Sequence, residues 1–242
     1  MNQVVYLRYE LLRSFRNRRF LLFSLVFPLV LFLSVAGSNR DAMLLGIPFP
    51  LYYMTGMAAW GTMMAVISGG SRIATERAAG WTRQMRITPL TTRSYFRAKV
   101  LTSYLLALTS LLILCLAGSA LGVRLTAPQW LEMAGLILIG LVPFAILGVL
   151  FGHLLTVDSL GPAVGGLTSL FALLGGAFGP IGTGGFLVTL EKCIPSYWLV
   201  QAGRTAVGGG SWPPEAWVVV LVWSAALAYL AVVVYRRDTG RV

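Results

Sequence analysis

The side chains of this chain that could do chemistry gather in one stretch, Arg72 to Lys99, which reads RIATERAAGWTRQMRITPLTTRSYFRAK. It holds Arg72, Arg77, Arg83, Arg86, Arg93, Arg97 and Lys99 against a single acid, Glu76. Without a histidine, a cysteine or a second carboxylate, the stretch offers neither a metal site nor an acid–base pair. What it offers is a dense array of guanidinium donors, suited to an anionic membrane surface or a protein partner. Gly80 precedes Trp81 to Ile87, and Pro89 forces Thr88 out of the helical region, so a helix of about two turns is predicted there. Trp81 and Met85 would share one face, with Arg83 and Arg86 beside them, an aromatic and arginine anchor of the kind favoured in protein interfaces.

Elsewhere the chemistry is sparse. The one histidine, His153, reads as an interfacial residue rather than a proton relay with Asp158. Glu76, Glu132, Asp158, Glu191 and Glu215 fall at the ends of apolar runs or between them, so an ion pathway through buried carboxylates is not expected. No H-E-x-x-H and no G-x-S-x-G occurs, so catalysis and a metal site are not expected. A phosphate-binding G-x-x-x-x-G-K-[ST] loop is missing too, which puts any ATP on another chain. Cys115 lies in an apolar run and Cys193 in a later loop, a pair that implies no disulfide framework.

The elements that must position the basic stretch are membrane spans. Of 242 residues 57% are hydrophobic and 11% charged, and mean hydropathy is +0.79, a balance that a soluble domain cannot cover with polar surface. The net charge of +11 sits in short segments flanking apolar runs, not on one folded face, which argues against nucleic-acid binding. Val4, Leu7, Leu11, Leu12 and Phe15 recur at helical spacing opposite Glu10, Arg13, Arg16 and Asn17, predicting an amphipathic helix on the membrane surface within residues 1–19. Six spans follow at about 20–37, 49–70, 100–123, 133–155, 159–178 and 216–235. The first carries Pro28, expected to kink it; a cleaved leader ending at Ser34-Val35-Ala36 is the alternative for this segment. The fifth holds Gly161, Pro162, Gly165 and Gly166, predicting an irregular helix that needs protein neighbours. Between the last two spans, Pro180 to Glu215 is half apolar and predicts a re-entrant or interfacial hairpin, with Trp198, Trp212 and Trp217 in an aromatic belt. The whole is one all-α membrane domain, 1–242. With both termini inside, fifteen of the nineteen basic residues fall on the cytoplasmic side, leaving Arg40, Arg124, Lys192 and Arg204 outside.

The pattern of Glu76-Arg77, Gly80, Arg83, Met85-Arg86, Thr88-Pro89-Leu90, Tyr95 and Lys99-Val100 resembles the cytoplasmic signature of type-2 ABC exporter permeases, the separately encoded membrane subunits of bacterial ATP-binding-cassette transporters. Ile194-Pro195-Ser196-Tyr197-Trp198 and Gln201-Ala202-Gly203-Arg204 are similar to that family's external hairpin. Ala78-Ala79 and Trp81 depart from it, since many relatives carry charged residues and a threonine there. The resemblance implies that Glu76, Arg77, Gly80, Trp81, Arg83, Gln84, Met85, Arg86 and Pro89 form a coupling element seated in a groove of a separate ATPase subunit, which holds ATP and Mg. It implies a bacterial inner-membrane permease paired with a second protomer, the Gly-rich spans two and five (Gly56, Gly61, Gly161, Gly165) lining their interface. The external hairpin residues are Pro195, Tyr197, Trp198, Gln201 and Arg204. The cargo implied is an amphipathic drug or antibiotic; polysaccharide or lipid export in the same family and cation-coupled secondary transport are the alternatives.

Overall fold

The computed structural model describes residues 3–17, 21–81, 92–180, 185–208 and 211–239, nearly all helical. In chain order the helices are α1 (Gln3–Phe15), α2 (Phe27–Ser38), α3 (Phe49–Ser71), α4 (Ile73–Ala78), α5 (Thr92–Ala120), α6 (Ala127–Gly140), α7 (Val142–Leu154), α8 (Val157–Leu174), α9 (Phe186–Lys192), α10 (Pro195–Gly208) and α11 (Pro214–Thr239). A two-residue antiparallel hairpin, β1 (Met43–Leu44) and β2 (Ile47–Pro48), turns through Leu45 and Gly46, both at positive φ. This hairpin lies in the connection between the first two expected spans.

Among the described residues four helices are long and apolar enough to cross a bilayer: Ser94–Ala120, Ala127–Leu154, Val157–Leu174 and Pro214–Arg236. The other two expected spans differ in kind. Leu22–Ser38 is shorter, and it opens with a π-helical turn, Leu22–Val26, just before Pro28. Proline cannot donate to the carbonyl four residues back. That carbonyl, Ser24 O, accepts from Ser110 Oγ on α5 at 3.1 Å, so the kink is met by a neighbour. The second, α3, has 23 residues but is not among the four. Four glycines, two tyrosines and several hydroxyls lower its hydropathy, and it lies in the middle of the bundle with twenty of its residues buried.

Around α3 pack α2, α5, α7, α8 and α10. Close approach explains its glycines, since apolar lipid gives helices little reason to associate except good packing. A Cβ on Gly148 would stand 2.7 Å from Ile67 O, and one on Gly70 would stand 2.7 Å from the Gly148 carbonyl carbon. The pair Gly148 and Gly152 therefore works within the chain, against Gly70 and Ile73. By contrast α8 is a continuous helix despite Pro162, and only 17% of its apolar window is buried. Its glycines do not bring neighbours of this chain close, and the helix is regular where an irregular one was expected.

Candidate functional site

At the basic end of the bundle the sequence places three short runs of polar residues at helical spacing: Tyr6, Glu10 and Ser14 on α1; Arg72, Glu76 and Arg77 about α4; Tyr95 and Lys99 on α5. Residues four apart share a helix face, and the fold turns these faces toward one another. Lys99 Nζ donates to Glu10 Oε1 at 2.5 Å and also to Glu76 Oε1. Arg13 Nη1 donates to Glu76 Oε1 at 2.9 Å, and Tyr95 OH donates to Glu76 Oε2. Lys99, Glu76 and Glu10 are 1%, 3% and 5% exposed, so this is a buried ion-pair network joining α1, α4 and α5. Such a network costs desolvation to assemble but penalises any geometry that separates its members. Burial, reinforced by Glu10, pushes the Tyr6 phenol well above its ordinary range, so it stays protonated.

Beside the network, Arg72 donates through Nη1 to Ser14 Oγ and through Nη2 to Arg13 O at 3.4 Å. Burial lowers its pKa, an effect that Glu10 partly opposes. Arg77 reaches the other way: its Nη1 donates to Gly152 O at 3.1 Å and His153 O at 2.6 Å, covering the open carbonyls at the end of α7 where a cation is also favoured by the helix dipole. The His153 ring packs against Phe96 and Tyr235, with centroids 6.0 and 5.5 Å away. Thus α4 is tied on one side to α1 and α5, and on the other to α7. Gly80, at φ +71°, turns the chain immediately after it, and Trp81 is partly exposed at 37%.

Of the predicted coupling residues, the structure brings Glu76 and Arg77 into contact with the bundle and leaves Gly80 and Trp81 at its surface. Arg83, Gln84, Met85, Arg86 and Pro89, with the two-turn helix predicted over them, lie outside the described residues. Sequence reasoning missed the network itself. It put Glu10 on a solvent-facing side and looked for no buried carboxylate, whereas Glu10 and Glu76 are both buried. The signal was present in the four-residue spacing of Tyr6, Glu10 and Ser14 and of Tyr95 and Lys99. The apolar residues Tyr9, Leu12 and Phe15 of α1 are instead exposed, as suits a helix resting on lipid.

At the far end, where a re-entrant or interfacial hairpin was expected, the structure has two helices, α9 and α10. Pro195 is buried at the start of α10, the Tyr197 ring meets Trp198 edge-on with centroids 5.0 Å apart, and Gln201 is half-buried. Trp198 Nε1 donates to Lys192 O at 2.7 Å. Arg204 lies 3.7 Å over the Tyr52 ring and donates to Gly176 O at 2.9 Å, pinning α10 to α3 and the end of α8. Trp198 and Trp212 are 4% and 5% exposed; they are core residues, not members of an aromatic belt, while Trp217 is exposed. The four interface glycines divide. Gly56 meets Ala177 and Gly61 meets Ser110 and Ser24 inside the chain, whereas Gly161 and Gly165 face open space. Among the described residues α3 is enclosed by its own chain, twenty of its residues being buried.

The family model described as ABC-2 family transporter protein matches residues 49–235. The chain is similar to "Putative transport permease YvfS" of Bacillus subtilis (strain 168), 28% identical over 220 residues, which is 88% of this chain and 87% of that relative.

Proposed function

Since the chain belongs to the ABC-2 family of transporter proteins, and is thereby a multi-pass membrane permease of a kind that works with an ABC ATPase, we propose that it is the permease subunit of an exporter whose separate ATPase docks on residues 80–89, with Glu76 and Arg77 passing the load inward. The observation that carries this reading is the attachment of α4 to three helices at once: to α1 and α5 through Glu76, and to α7 through Arg77. A thrust delivered just beyond α4, at Gly80 to Pro89, passes into the bundle through these contacts instead of dissipating in a loop.

Six crossings, with Leu22–Ser38 and α3 completing the four most apolar helices, put both termini and the basic stretch in the cytoplasm of a bacterial inner membrane, as the segregation of basic residues favours. In this reading the α9–α10 pair is external, α8 presents Gly161 and Gly165 to a second permease protomer, and the cargo is amphipathic, a drug, an antibiotic or a lipid-like molecule. ATP and Mg are bound by the partner subunit alone. The experiment is co-reconstitution of the permease with its ATPase subunit, measuring substrate-stimulated hydrolysis and transport for Arg83→Ala and Met85→Asp. Loss of both activities with assembly intact supports coupling here; normal hydrolysis and transport by both variants would refute it.

The buried carboxylates Glu10 and Glu76 are the observation that favours a cation-coupled secondary transporter. Both are engaged by Lys99, so protonating either would leave a buried cation less compensated, which weighs against a proton site. Transport that survives without ATP but collapses with the proton gradient would favour that reading.

A further inference from the structure

Between α1 and the α3–α4 junction lies an open cavity of about 560 Å³, lined by Tyr9, Leu12, Arg13, Arg16, Asn17, Arg72 and Thr75. Its charges do not balance. Arg13, Arg72 and Lys99 stand against the two carboxylates Glu10 and Glu76, and both carboxylates are taken up by Lys99 and Arg13. Among the described residues no ion pair links Arg72 or Arg16 to a carboxylate. Arg72 is nevertheless largely desolvated, which lowers its pKa, and it is held in place by Ser14 Oγ and Arg13 O. A guanidinium carries five N–H donors, and among the described residues these two bonds leave three. A fixed, desolvated cation with donors to spare, in a cavity of net positive charge, is built for an anion.

The lip of the cavity says which anion. Tyr9 and Leu12 line it and are 67% and 51% exposed, and Phe15 on the same helix is 43% exposed. A soluble ion would gain nothing from that apolar edge, but a phospholipid would lay its acyl chains along it with the phosphate inside. We propose that this cavity holds the phosphate of an anionic membrane phospholipid, with Arg72 as its fixed donor and Arg16 as a flexible second. The site borders the Glu76 network through Arg13, but it uses none of residues 80–89 and stands whether or not the coupling reading holds. Bound there, the lipid would neutralise the excess charge at the seam between α1 and α4.

The test is native mass spectrometry of the full chain in detergent, titrated with phosphatidylglycerol and with phosphatidylcholine of the same acyl chains. Phosphatidylglycerol should bind more tightly, and Arg72→Gln and Arg16→Gln should each weaken it by about fivefold, the loss expected for one basic contact at a membrane surface. Arg124→Gln, a basic residue remote from the cavity, should leave it unchanged. Arg16 is exposed, so Arg16→Gln keeps the test open if Arg72→Gln does not fold. Equal affinity for the two lipids, or unaltered binding by the arginine variants that fold, would overturn the proposal. So would displacement of the lipid by millimolar inorganic phosphate, which would mark a site for a soluble anion.

Discussion

Replacing Lys99 by methionine removes the one cation shared by two buried carboxylates while nearly preserving side-chain volume. Lys99 is 1% exposed and contacts Glu10 and Glu76, themselves 5% and 3% exposed. Removing one partner of a buried pair costs about 3–5 kcal/mol, because the other charge stays behind without its counterion. The two carboxylates do not suffer equally. Glu76 keeps Arg13 at 2.9 Å and the Tyr95 hydroxyl, whereas Glu10 loses the partner that holds it. Most of the penalty therefore belongs to Glu10, and Lys99→Met with Glu10→Gln should recover more than half of the loss. For a chain of this length each kcal/mol is worth about 2–4 °C in Tm, so Lys99→Met should lower it by roughly 6–20 °C. The measurement is thermal unfolding of the detergent-solubilised chain for the wild type, both single variants and the double variant. A drop of less than about 3 °C for Lys99→Met, or strict additivity of the two substitutions, would refute the network as an energetic unit.

Gly148→Ala should destabilise the chain by about 1–3 kcal/mol, because its Cβ would meet Ile67 O at 2.7 Å; Gly161→Ala, with nothing within 4 Å, should be neutral or gain up to about 1 kcal/mol in helix propensity. Paired thermal melts compare them, and equal losses would contradict the packing described. Arg204→Met should cost about 2 kcal/mol through the cation–π contact with Tyr52 and the hydrogen bond to Gly176, and proteolysis near α10 should rise; an unchanged digestion pattern would count against that anchor. Cys193 is exposed, so a membrane-impermeant maleimide should label it in intact spheroplasts while Cys115, within α5, stays unmodified. Labelling only in inside-out vesicles would reverse the proposed orientation.

The apolar runs between Val100 and Phe178 and after Ala216 could be read directly because lipid-facing helices must be hydrophobic along their whole length; an apolar helix lies over each, although Ser94–Ala120 and Ala127–Leu154 each begin six residues before the expected start. α3 was legible as a helix but not as the centre of the bundle, since its glycines look the same whether they serve a partner protomer or the chain itself; only the neighbours Ala177, Ser110 and Gly148 decide it. Trp198 and Trp212 misled for a related reason, as an indole suits an interface and a core equally well. The network escaped because helical periodicity was read for apolar residues and not for polar ones. Tyr6, Glu10 and Ser14 carried the same information as Leu7, Leu11 and Phe15, one face over.

The enclosure of α3 bears on how the chain is made. A helix with Thr55, Thr62, Ser68 and four glycines gains little from hydrocarbon, and what keeps it in place is protein on every side. Its chief neighbours α5 and α7 are synthesised after it. When α3 is made, of the helices that enclose it only α2 precedes it, and its enclosure is completed only once α5, α7, α8 and α10 have followed. Substitutions that tighten its packing should show themselves first as altered yield of inserted protein, before any change in transport.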